Sequence, residues 1–139
     1  MRYWKIGAKV LAVVIALGVV VAAIMHRAFA RQAVPLTLGQ LSVLRGALEV
    51  YKEDQGRFPL ALDTLVRPDG KYLMKGSFPR VRMFLDRPHK DGLSSIYYGR
   101  QSNDAGGWIY DNEKGSPTFG RVWVNCTHTD HRGSAWGSY

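Results

Sequence analysis

Residues 10–25 read VLAVVIALGVVVAAIM, a run without one charged or strongly polar side chain. Counted back to Ile6, with Lys9 laying its stem along apolar surface and reaching outward, the run is about 20 residues long. At about 1.5 Å per residue, that is the length a bilayer core of roughly 30 Å requires. An amphipathic helix of a soluble core would show a polar face, and this stretch has none. It therefore reads as one membrane-spanning helix near residues 6–26. Arg2, Lys5 and Lys9 precede the run, and Arg27 and Arg31 follow it. The excess on the leading side places the N-terminus in the cytoplasm and the rest of the chain outside. A cleaved signal peptide is the competing reading, because Ala28-Phe29-Ala30 fits the small-x-small rule for a cleavage site. The length of the run, and the helical pattern that continues past it, favour a retained anchor.

The charge follows the same division. The 139 residues carry a net charge of +8, of which residues 1–31 supply +5 and no acid; the remainder holds 14 basic and 11 acidic residues. Most of the excess thus flanks the apolar run, where it meets lipid headgroups, and the rest is too mildly basic for a nucleic-acid face. A hydrophobic share of 46% against 22% charged is that of a folded chain. Cys126 is the only cysteine, so an internal disulfide and any multi-cysteine metal or haem motif are excluded. Its expected role is that of a buried, small apolar residue.

Beyond the span, Pro35 and Gly39 mark residues 32–39 as a kink or weak stretch between anchor and domain. Leu41, Leu44, Leu48 and Tyr51 then recur at three- and four-residue spacing, with Gln40, Arg45, Glu49, Lys52 and Glu53 on the other side. That pattern is an amphipathic helix, stopped by Gly56 and Pro59. A short second helix is expected over residues 60–66, before a turn at Pro68-Asp69-Gly70. Three later runs have strand composition: residues 95–99 (SIYYG), 107–111 (GWIYD) and 121–125 (RVWVN). Loops rich in Gly, Asn, Asp, Ser and Pro separate them, which predicts an antiparallel meander with one face on the Leu41/Leu44/Leu48 stripe. Trp108 and Tyr110 should share one sheet face and Ile109 the other. Residues 73–93 fit no regular pattern. The reading is an α+β fold, a long N-terminal helix packed on a small antiparallel β-meander. Its parts are a membrane helix with flanks (1–31), a kink or linker (32–39) and an extracytoplasmic globular domain (40–139).

Two stretches in this order are similar to a known family. Residues 48–59, LEVYKEDQGRFP, followed by Leu62 and Leu65, resemble the "D-x-G-x-[YF]-P…L…L" helix end of the major pseudopilin of type II secretion systems. Residues 106–111, GGWIYD, followed by Gly115 and by residues 122–125, VWVN, resemble the "GGW-x-Y…G…V-x-N" hairpin of pseudopilins and some type IV pilins. The resemblance implies a pilin-like fold and a single-pass protein of the bacterial inner membrane with a periplasmic C-terminal domain. It implies self-association, contact with other pilin-like subunits and with inner-membrane assembly components, and membrane lipid around the anchor. The N-terminus is atypical: Gly7 is followed by Ala8-Lys9-Val10-Leu11-Ala12, so Ala12 stands where the family has the glutamate that aligns neighbours. Processing after Gly7 and glutamate-guided assembly therefore do not carry over. The chain reads as an uncleaved pilin-derived membrane protein, or as an atypical or minor subunit.

Motifs for chemistry are sparse. The serines lie in no Gly-x-Ser-x-Gly elbow, Gly106-Gly107 opens a strand rather than a phosphate-binding helix, and Cys126 has no base-and-orienter pattern, so no enzyme is expected. His128-Thr129-Asp130-His131 holds two imidazoles and a carboxylate, but its surroundings are loop-like and it reads as a solvated polar tail. The major pseudopilins hold calcium in their C-terminal loops. That resemblance makes Asp104, Asp111 and Asp130 the candidate carboxylates for a calcium ion, the one cofactor considered. The expected function is a structural subunit of a pseudopilus or pilus-like assembly, in type II secretion or a related envelope machine. The alternative is an anchored or secreted pilin-like binding module that does not polymerise.

Overall fold

The computed structural model describes residues 2–74, 78–83, 89 and 92–139, and along the first helix the side chains of residue 7 and of residue 9 onward. One helix dominates it. α1 (Arg2–Gln55) runs 54 residues without a break and carries Pro35 inside it. A proline removes one backbone donor and would ordinarily kink or end a helix. Here the stretch around it is held from outside. Ala33, Val34 and Thr37 are buried against the rest of the chain. The Thr37 hydroxyl donates to the Arg82 carbonyl at 2.7 Å and accepts from the Arg82 amide at 2.9 Å. Residues 32–39, expected as a kink or linker, are thus helical, and burial of α1 by the domain begins within them. The helix stops at Gly56, whose φ of 70° is the left-handed conformation of a helix C-terminus.

The buried side of α1 repeats at Val34, Thr37, Leu41, Leu44 and Leu48, alternating steps of three and four that keep one face inward. It packs into a single core with Leu62, Leu65, Trp108, Tyr110, Val122, Val124 and Trp136, and Tyr51 lies half-buried at the edge. A fully buried Leu stabilises by roughly 1.5–3 kcal/mol relative to exposure, so this face of α1 is a principal anchor of the domain. Leu62 and Leu65 come from a short 3-10 helix, Leu62–Leu65, where a helix over 60–66 was expected. The turn after it closes as expected, the Gly70 amide donating to the Arg67 carbonyl at 3.1 Å.

The three expected strands are present: β1 (Ile96–Tyr98), β2 (Trp108–Tyr110) and β3 (Val122–Val124), in the order β1-β2-β3. The sheet is mixed rather than an antiparallel meander. β2 and β3 are antiparallel, Trp108 opposite Val124 and Tyr110 opposite Val122, but β1 and β2 are parallel, Ile96 opposite Trp108. A parallel pair needs its connection to travel back along the whole strand, ordinarily over a dozen residues or more. This chain does it in the nine residues 99–107. Gly99, Asp104, Gly106 and Gly107 all have positive φ, which folds the connection tightly enough to return. Gly107 permits the close approach: a Cβ there would overlap the Ser95 carbonyl, which accepts the Trp108 amide at 2.8 Å. Trp108 and Tyr110 face the α1 core together, as their alternation predicts, and Ile109, also buried, lies outside that cluster.

The stretch 73–93 has no long strand among its described residues, but it is not excluded from the core. Leu73 pairs with Val66 and Val81 pairs with Leu93 as single bridges, and Leu73, Val81 and Met83 are buried. The Trp108 indole donates to the Pro79 carbonyl at 2.8 Å, and the Tyr110 hydroxyl to the Pro59 carbonyl at 2.6 Å. Both aromatic residues of β2 thereby satisfy their polar atoms inside the core while tying loops to it.

Candidate functional site

Two surfaces carry features beyond folding: the outward side of α1, and a group of side chains where the β1–β2 connection meets the C-terminal segment. Along α1, residues 10–25 are exposed throughout, and the helix is long and apolar enough there to cross a membrane. The apolar surface does not end with that span. Ile15, Ala22, Phe29, Leu36, Val43 and Val50 recur every seven residues and are all exposed. Seven residues turn an α-helix to within about 20° of its starting direction, so they form one shallow stripe. Beside it Gly18, Gly39 and Gly46 present backbone with open space in front of them. Small residues flanking an apolar stripe let a second helix approach closely.

Of the three candidate calcium carboxylates, Asp111 and Asp130 are each engaged within their own loop. Asp111 is buried and accepts from the Ser116 and Thr118 hydroxyls, at 2.5 and 2.6 Å, and from the Glu113 amide at 3.0 Å. Asp130 accepts from the Tyr139 hydroxyl at 2.5 Å and from the Arg132 and Ser134 amides at 2.7 and 3.0 Å. No hydrogen-bond partner described is common to any two of the three. The loops at Asp111 and Asp130 are closed by their own aspartates.

Asp104 instead has other company. Its Oδ1 lies 3.3 Å from His89 Nε2 and 3.3 Å from His128 Nδ1, and accepts the Thr127 amide at 2.8 Å. That amide foremost, with the neighbouring imidazoles, holds the Asp104 carboxyl below the usual carboxylate range despite partial burial. Cys126 Sγ is 3.4 Å from His128 Nδ1 and accepts the His128 amide at 3.3 Å. The two imidazole rings meet edge to face at 5.3 Å. One donor atom from each of His89, Asp104, Cys126 and His128 lies within 4.8 Å of every other, the only such group of His, Cys, Asp and Glu among the described residues.

No family model, curated protein or solved structure matches this chain.

The side-chain group was not legible as a unit in the sequence. Cys126 is buried, as expected, but beside His128 and not only in apolar company. Sequence order groups His128 with Asp130 and His131; in the fold its neighbours are Cys126 two residues back and Asp104 from the β1–β2 connection, while Asp130 turns to Tyr139. The one local signal was the Cys-x-His pair itself, which places two soft donors on one turn.

Proposed function

We propose that this chain is a pilin-like structural subunit, held in a bacterial inner membrane by the first part of α1, with its C-terminal domain on the periplasmic side. It would act in a pseudopilus or related envelope assembly, packing α1 against the α1 helices of other subunits while the small domains tile the outside. The observation that carries the reading is the exposed seven-residue stripe. It runs unbroken from the membrane segment into Leu36, Val43 and Val50, opposite the face that holds the domain. A helix needed only as an anchor gains nothing from apolar residues on the solvent side of its domain half. A helix that packs on neighbours along its whole length requires them. The GGW and D-x-G-x-F-P stretches support the same reading. Its chemistry is packing, and we assign it no catalytic step.

A second reading, an anchored binding module that does not polymerise, has one observation of its own beside the alanine at position 12. Arg45, Arg100 and Arg121 line an open cleft beside Tyr139, a place where a polyanionic partner would find complementary charge.

Photo-crosslinking in native membranes separates the two. With a photoreactive residue at Val43 or Val50 of the full chain, the assembly reading expects a ladder of self-adducts, lost when Leu36→Asp is added. Adducts confined to other proteins, or no ladder at either position, would overturn it in favour of the binding module.

A further inference from the structure

We propose that His89, Asp104, Cys126 and His128 bind a zinc ion, which joins the segment after Val81, the β1–β2 connection and the chain following β3 into one unit. The spacing is the first argument. With zinc–nitrogen bonds of about 2.0–2.1 Å and zinc–sulfur bonds of about 2.3 Å, tetrahedral ligand atoms stand about 3.3–3.6 Å apart. The three closest approaches, His89 to Asp104, His128 to Asp104 and His128 to Cys126, are 3.3, 3.3 and 3.4 Å.

The second argument concerns protons. His128 Nδ1 faces both a carboxylate oxygen and a sulfur, and one ring nitrogen carries at most one hydrogen to give. The same Asp104 oxygen receives the Thr127 amide and faces two imidazoles. A cation among the four donors satisfies all of them at once, each presenting a lone pair to it. The His128 amide, donating to Cys126 Sγ, favours the thiolate that such a bond needs.

The donor set selects the metal class. Two imidazoles and a thiol are poor ligands for calcium or magnesium, which take oxygen, and good ones for zinc. Four protein donors fill a tetrahedral zinc, so the site is structural rather than catalytic. Its position explains its use. His89 is nearly enclosed, with 4% of its side chain exposed, and it belongs to the stretch 73–93, far in sequence from Cys126 and His128. A chain with one cysteine cannot staple that stretch by an internal disulfide, and a metal supplies the equivalent cross-link.

The inference stands apart from the assembly reading and is tested on the full chain in detergent, stripped of metal and then titrated with zinc alone against a chromophoric chelator. One zinc per chain is expected. Cobalt in its place should give the intense visible bands of tetrahedral coordination and a near-ultraviolet thiolate charge-transfer band. Cys126→Ser should abolish that band. His128→Gln, at a half-exposed position where folding is least at risk, should weaken zinc by more than about tenfold, the lower end of what even outer partners of a metal contribute. His131→Gln should bind as the unsubstituted chain does. Absence of stoichiometric zinc, a cobalt spectrum without the thiolate band, or unchanged affinity in folded His128→Gln and His89→Gln chains would each overturn the proposal.

Discussion

Asp111 shows how much one side chain decides in a domain this small. It follows β2, is fully buried, and closes the loop to β3 through two hydroxyls and an amide. Burial alone would raise its pKa. The donors from Ser116, Thr118 and Glu113, with Arg100 nearby, outweigh that and leave it below the usual carboxylate value. The sign of the linkage follows. A depressed folded-state pKa contributes stability that is complete above the unfolded value of about 3.9 and is lost as pH falls through the lower folded value. The melting temperature of the full chain in detergent should therefore decline on acidification below about pH 4. Asp111→Asn should be less stable at neutral pH, by about 1–3 kcal/mol for a mispaired buried group, with a shallower acid limb. Parallel acid limbs for the two chains would mean that Asp111 is not the group titrating.

At the scale of elements, α1 has two sides with different partners. The inner side, Val34 through Leu48, belongs to the domain core, and the outer side carries the seven-residue stripe. Leu48→Ala removes a side chain 2% exposed between α1 and the sheet. It should cost about 2–5 kcal/mol, visible as a lower midpoint in thermal or denaturant unfolding. A melt indistinguishable from the parent would show that the site collapses or that the core is elsewhere. Pro35 marks the limit of local reasoning about this element. Its chemistry argues for a break, and the helix continues because Val34 and Thr37 are fixed by packing and by the Arg82 backbone. At the other end local and tertiary preferences agree. Gly56 takes the left-handed turn that its type permits, and Lys71 pairs with Asp54 across the stop at 2.6 Å.

For the whole molecule, the proposed arrangement puts the apolar part of α1 in lipid and everything from the buried face onward outside the cytoplasm. Lys114 is exposed in the β2–β3 loop. In cells with a permeabilised outer membrane, a cysteine replacing it should react with a membrane-impermeant maleimide. Cys126, buried, should stay largely silent and serve as the background. Labelling of the Lys114→Cys chain only after the inner membrane is breached would reverse the topology, and with it the proposed site of assembly.

Elements whose cause is local were legible from residue order alone. A run of apolar residues with no polar face makes a helix long and apolar enough to cross a membrane, and three-and-four spacing turns Leu41, Leu44 and Leu48 to one side. β-branched and aromatic runs between glycine-rich loops make strands, and Gly56 and Gly70 stop or turn the chain where their left-handed φ is needed. Tertiary structure decided what depends on meeting distant residues. The parallel β1–β2 pairing follows from how tightly residues 99–107 return, a property of several positive φ angles acting together rather than of any residue type. The continuation of α1 through Pro35 follows from burial supplied by residues far along the chain. The meeting of His89 and Asp104 with Cys126 and His128 has the same origin. Composition and spacing describe only neighbours along the chain, whereas a ligand set is a relation in space that exists once the β1–β2 connection and the C-terminal segment have folded against each other.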